Sequence, residues 1–494
     1  MNRRVVEGVV QDAMRESLHA YARRTALVGG AEELSYEQLG ARIHAAGRFL
    51  RERRRDRRRD DRQRIGFCLP NSVEYVIFYF GTLDAGDIPF LLDANFNTGE
   101  IEAIRSDCGL DALILESSKA AALELTCASD VVPLGGGVVL APLATDEIRK
   151  FTARANTSVC RFTSGTTGRP KCLEFSGEAV AAAARHWVSG TGMTADDRVL
   201  CLAALSNGLA FNTSLLSTFL AGGELHLFKG ATLTRPIARR IGERGITRLV
   251  AFPALYRLFA APGGPDRSEV AGLRSAISAG APLWPDVREE FRNRYGVDIS
   301  DYYGIAETGP CTFERDASHH TGLGRPLPGV EIKIAPGPDD AHAGEILVRT
   351  DSMTSGYLNY PELFASRLDA DGFYHSGDRG RTIDGRLHLA GRTQDHINVA
   401  GRKIDPCEIV TVVSALDGVE DAVAFPDEDL NRETLVHLVV VPARHDLTRA
   451  LVADACRSRL APYKVPGRIS FVNQIPRNGI GKPRIAMLRE QLGG

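Results

Sequence analysis

The spacing of apolar and polar positions changes period many times along the chain, and each change marks an element. Ser35 opens an amphipathic run to position 50, with Gln38 three residues on, a pairing that predicts a capped helix start. Residues 64–69 read as a short apolar strand, 72–83 as a helix and 88–92 as another strand. The rhythm returns as strands at 199–205, 224–228 and 248–252 with helices at 211–221 and 237–245. Helices set between short apolar strands predict an α/β fold of stacked, mostly parallel sheets. The last hundred residues read differently. A hairpin at 397–404 leads to a helix at 407–416, strands at 422–425 and 435–441, a helix at 448–460, a strand at 468–472 and a closing helix at 485–492. This predicts a large domain over 1–392 and a small, mobile α+β domain over 393–494.

Length agrees with that division, since 494 residues exceed what one hydrophobic core supports. Sixty Lys+Arg against 62 Asp+Glu leave a formal charge of −2, so no global field draws in nucleic acid or anionic lipid, and neither is expected as a partner. The Arg-rich stretch 51–64 holds nine Arg but is interleaved with four acids and lacks aromatics, which favours a solvated surface over an anion site. Its apolar runs fall far short of the ~20 residues of a membrane span, and no leader-like segment opens the chain. Nine cysteines occur singly, without metal-ligand or disulfide spacing, which suits a reducing, cytoplasmic setting. Nothing in the composition speaks to oligomeric state. Only eight of the 60 cations are Lys, which singles those positions out.

Five stretches bear chemistry. Phe162-Thr163-Ser164-Gly165-Thr166-Thr167-Gly168 runs into Lys171; its small residues cannot build a core but can present N–H and hydroxyl groups to a phosphate chain. The spacing is not that of a Walker loop. Asp301-Tyr302-Tyr303-Gly304 leads to Glu307, and Ser278-Ala279-Gly280-Ala281-Pro282 precedes it. Paired aromatics can stack on a purine and a nearby carboxylate can hold Mg²⁺, although Tyr-Tyr-Gly is also ordinary turn chemistry. Ser376-Gly377-Asp378 offers an acceptor for sugar hydroxyls or a plain Asx turn. Arg392 follows Gly391, and Lys482 lies on a glycine-bracketed loop, either reaching into a cleft or simply exposed.

In this order and spacing the five resemble the signature set of the AMP-forming acyl-adenylate superfamily: acyl- and aryl-CoA ligases, peptide-synthetase adenylation domains and luciferases. The resemblance spans nearly the whole chain. It implies that Ser164 to Gly168, with Thr163 and Lys171, hold the ATP phosphates, that Gly280, Ala281, Pro282, Tyr302, Tyr303 and Gly304 wall the adenine, and that Asp378 binds ribose. It further implies Glu307 as the Mg²⁺ ligand, with Lys482, Glu307 and Arg392 as the catalytic set. Gln394 matches the hinge, and Val399, Ala400 and Gly401 the channel for an incoming thiol. ATP, Mg²⁺ and CoA, or the phosphopantetheine of a carrier protein, are the implied co-reactants. Two departures stand out: Ala306 where the pattern has Thr, and Cys172 where Gly usually follows the Lys.

The acid pocket is expected from Asn207, Leu209, Phe211, Phe252, Ala279 and Tyr302. No acidic residue lies between 200 and 223, so an α-amino group would be buried unpaired there. A compact aromatic acid with a polar ring substituent is the expected substrate and an acid–CoA ligase the leading reading; Asn207 is either a pocket residue or a turn residue. Discharge onto a carrier protein or an amine, or activation of an oxyanion such as nitrite, is the alternative. A non-enzymatic nucleotide binder is disfavoured, because Glu307, Asp378, Arg392 and Lys482 are all present.

Overall fold

The wholly apolar strands predicted from the sequence become the interior of two large sheets. In a computed structural model of the chain, residues 9–53, 62–122, 131–143, 151–163, 170–229, 233–279, 283, 285–318, 322–336, 344–392, 397–404, 406–430, 432–444, 446–476, 483 and 485–493 are described. Two units emerge. The first comprises residues 1–94, 105–162 and 172–391, the second residues 95–104, 163–171 and 392–494.

In the first unit one sheet has nine strands among the described residues. Its middle is parallel, in the order Ile299–Ile305, Ser275–Ser278, Arg248–Ala251, Arg198–Cys201, Glu224–Leu227 and Thr25–Gly29. Antiparallel strands close both edges, Gly309–Phe313 followed by Arg325–Pro326 on one side and Glu32–Ser35 on the other. The eight-stranded second sheet has the parallel core Thr157–Thr163, Ile88–Leu91, Arg64–Cys68 and Ala112–Glu116. Its strands are buried on both faces, which is why they read as unbroken apolar runs rather than alternating ones. A third, four-stranded sheet contains Val330–Pro336, Gly344–Thr350, Tyr374–Ile383 and Arg386–Arg392.

The apolar helix Val73–Asp84 packs into the core with Tyr75, Val76, Tyr79 and Phe80 all buried. The expected capping box is present: Ser35 accepts from the Gln38 N–H and the Gln38 side chain accepts from the Ser35 N–H, opening the helix Tyr36–Glu52. The helix expected from 211 begins earlier, at Gly208, and widens into a π-turn over Phe211–Leu216 before Ser217–Ala221. Such widened turns occur often at functional sites. No helix among the described residues is long and apolar enough to cross a membrane.

The second unit contains the hairpin Ile397–Val399 and Arg402–Ile404, the helices Pro406–Ser414 and Arg449–Arg459, and a sheet of Val419–Glu428, Thr434–Pro442 and Arg468–Phe471. The hairpin turns on Ala400 and Gly401, both at positive φ (48° and 79°), the type I′ geometry that matches the twist of its strands. Lys464 is buried between Glu100 and Glu408, its Nζ donating to one carboxylate at 3.0 Å and to the other at 2.8 Å.

Candidate active site

Parallel strands leave their carboxyl ends along one edge, and loops leaving that edge are where such sheets bind ligands. Phe252 and Ala279 stand just beyond the ends of two adjacent strands, and Tyr302 follows Asp301, where the pairing of the third strand with its parallel neighbour ends; the Ala279 N–H donates to the Ala251 carbonyl, and Ser278 pairs with Asp301. The loop after Arg198–Cys201 runs along the same edge to Asn207. It is held by Asn71, which donates to the Ala203 carbonyl and accepts from the Leu205 N–H. Asn71 was not singled out by motif, because its partners lie more than 130 positions away.

Asn207 accepts from the Leu209 N–H at 2.9 Å and so caps the following helix, the turn role left open by the sequence. Leu209 and Ala279 are buried. Phe211 is wholly buried and packs edge-on against Tyr79, with ring centres 5.4 Å apart. Tyr302 packs edge-on against Trp187 at 5.0 Å.

The strand holding Tyr302 and Tyr303 turns back through Ala306, Glu307 and Thr308 into Gly309–Phe313. Gly304 makes this possible: a Cβ there would lie 2.6 Å from the Gly309 carbonyl oxygen. Glu307 therefore projects from a tight hairpin turn. Its Oε1 accepts from the Tyr357 hydroxyl at 2.6 Å. Tyr303 in turn donates to Asp378 Oδ2 at 2.8 Å, and the Asp378 N–H donates to Ser376 Oγ. Two acids far apart in sequence are thus each aligned by a buried phenol. Burial first, and then the neighbouring carboxylate, pushes both phenols far above their usual range, so each remains a donor. Nothing local in the sequence announced that Tyr357 would reach Glu307, 50 positions away.

Among the described residues no group of three His, Cys, Asp or Glu could cage a metal, so Glu307 is not part of an all-protein metal cage there. One carboxylate suits Mg²⁺ that takes its other ligands from substrate phosphates and water. Ala306 packs against the core beside it. Cys172 is buried with the thiols of Cys160 and Cys108 as neighbours, and its N–H donates to Asn359 Oδ1 at 2.9 Å. A small apolar side chain fits there. Burial raises its thiol, which keeps it protonated.

Thr163 ends its strand and Lys171, half-buried, begins the next. Ser164, Gly165, Thr166, Thr167, Gly168, Gly280, Ala281, Pro282, Gln394 and Lys482 lie outside the described residues, and for Arg392 the structure describes the backbone alone, as the last residue of its strand.

A family model for AMP-binding enzymes matches residues 14–358, and one for the AMP-binding enzyme C-terminal domain matches 408–482. The chain belongs to the AMP-binding enzyme family. Among relatives of this AMP-binding enzyme is a (7a-methyl-1,5-dioxo-octahydroindenyl)propanoyl:CoA ligase of Mycobacterium tuberculosis, 29% identical over 86% of this chain and 88% of its own. A feruloyl-CoA synthase of Amycolatopsis is 28% identical over 97% of both chains. The solved structure of the amide bond synthetase McbA from Marinactinospora thermotolerans shares the fold, with a TM-score of 0.82 at 23% identity over 97% of this chain and 99% of that one. The expectation of a large α/β unit of stacked sheets with a small α+β unit holds, and the protein is an AMP-forming ligase of the type that includes acyl- and aryl-CoA ligases.

Proposed function

We propose that this enzyme adenylates a compact, cyclic or aromatic carboxylic acid with ATP and passes the acyl group to the thiol of CoA. The observation behind this reading is the pair of phenol-aligned acids, Tyr303 on Asp378 and Tyr357 on Glu307. Relatives named for acids built on carbocyclic and aromatic frames support the substrate class.

A carboxylate oxygen bonds to the α-phosphorus of ATP as the bond from that phosphorus to pyrophosphate breaks. Two anions must approach, so the protein's work is positioning and charge neutralisation. Asp378 accepts from ribose hydroxyls, and Tyr303 sets its orientation. Glu307, steadied by Tyr357, would hold Mg²⁺, which supplies positive charge against the phosphates. The loop 164–168 with Lys171 binds the phosphates, and Lys482 bridges the reacting carboxylate and the α-phosphate. In the second half-reaction the thiol sulfur attacks the acyl carbon and AMP leaves. Residues 393–494 then act as a lid over 1–392, turning at Gln394 and presenting Val399, Ala400 and Gly401 to the thiol.

The test is pyrophosphate release over a panel of aryl, alicyclic, fatty and amino acids, with and without CoA, and with a carrier protein or amines in its place. The expected result is release with cyclic acids and thioester formation with CoA. Release confined to amino acids or long fatty acids would overturn the substrate class. Lys482→Ala should cut adenylation at least about 100-fold while turnover of a preformed adenylate with CoA persists.

A further inference from the structure

Arg161 lies on Thr157–Thr163, three residues before Ser164, and its side chain is 5% exposed. Its guanidinium sits 4.2 Å from the centre of the Phe175 ring and 5.4 Å from that of Phe211. Gly208 leaves room for it, since a Cβ there would stand 2.5 Å from Nη1. Nε and Nη1 are buried without a hydrogen-bond partner, and no carboxylate among the described residues forms an ion pair with Arg161. Tyr75 and Tyr79, one turn apart on Val73–Asp84, are also fully buried with hydroxyls that meet no hydrogen-bond partner among the described residues. Tyr79 packs on the same Phe211 ring that Arg161 faces.

An unpaired buried guanidinium costs several kcal/mol, and two idle phenols add to it. All the unused groups can donate a hydrogen bond, and the guanidinium nitrogens can do nothing else. The site therefore lacks an acceptor, and the best match to a planar fork in an apolar, aromatic setting is a carboxylate. Burial, opposed by Tyr79, Glu307 and Tyr75, already lowers the Arg161 pKa to about 10, so a bound anion would relieve it. Phe211 and Gly208 belong to the helix turn expected to line the acid pocket.

We infer that Arg161, with Tyr75 and Tyr79, forms a subsite for a second carboxylate of the substrate, which makes the preferred substrate a dicarboxylic acid. This rests on the acid-activating reading above.

The experiment compares kcat/KM for pyrophosphate release with phthalate, isophthalate, terephthalate and C4–C8 aliphatic diacids against their monomethyl esters and the matching monoacids. At least one diacid should exceed its half-ester by about 100-fold, the discrimination expected when a buried charge loses its partner. Arg161→Met should bring that ratio close to one, and Arg161→Lys should retain part of it. Should Arg161→Met fail to fold, Tyr79→Phe read by the same ratio, and thermal stabilisation of the wild type by diacid but not half-ester, decide the matter. Half-esters or monoacids turned over as well as diacids would overturn the second-carboxylate subsite and leave acid activation standing. Silence across every acid tested would count against acid activation itself and remove this inference with it.

Discussion

Tyr303 and Tyr357 do the same job at two acids: each is a buried donor that holds one carboxylate oxygen in a set direction. A hydrogen bond to a charged group is worth about 1.5–3 kcal/mol. Tyr303→Phe should therefore raise the KM for ATP about 10- to 100-fold while the fold, read by circular dichroism, persists. Tyr357→Phe should instead raise the Mg²⁺ concentration needed for half-maximal rate, because its partner is Glu307. The phenols also set an alkaline limit. Their folded pKa values lie above the ordinary value of 10, so their contribution is complete below it and declines as pH rises beyond it. Unfolding free energy measured by urea titration should fall above pH 10, and less steeply in Tyr303→Phe. Of these residues, Glu307, Asp378 and Tyr303 were legible from motif. Tyr357 and Arg161 were not, since one depends on a partner 50 residues away and the other on two buried guanidinium nitrogens left without a hydrogen bond among the described residues.

At the scale of elements, local signals read true wherever the interaction is local. The capping box at Ser35 and Gln38 needs only four residues, and Ser35→Ala should cost about 1 kcal/mol in thermal or denaturant unfolding. The hairpin at Ala400 and Gly401 was equally visible. Harder to read was the helix from Gly208: its apolar run indicated a helix, but the π-turn over Phe211–Leu216 reflects packing against the helix Gly177–Thr191 and the strand Gly309–Phe313. Strand lengths also shifted, the strand expected over 199–205 ending at Cys201, where Asn71 takes over the backbone of the loop.

For the whole molecule, the second unit depends on a buried cation. Burial alone would lower the Lys464 pKa, but Tyr463, Glu408 and Glu100 outweigh it and raise it. Its contribution is therefore complete below the ordinary value of 10.5 and lost only at higher pH. Lys464→Met would leave Glu100 and Glu408 buried without their cation. It should destabilise that unit by about 3–5 kcal/mol, seen as an earlier urea transition in its hydrogen-exchange protection.

By itself the sequence determined the class of fold and the family and marked Glu307, Asp378 and Lys171 as candidate site residues, because periodicity and short motifs are properties of neighbours along the chain. Tertiary structure decided which phenol aligns which acid, that Asn207 caps a helix, and that Arg161 lies among aromatics without an ion pair among the described residues. Those outcomes depend on which distant strands and helices meet and how much water they exclude. Burial gives a buried charge its cost, and a linear pattern that marks buried apolar runs cannot show which charge is buried among them.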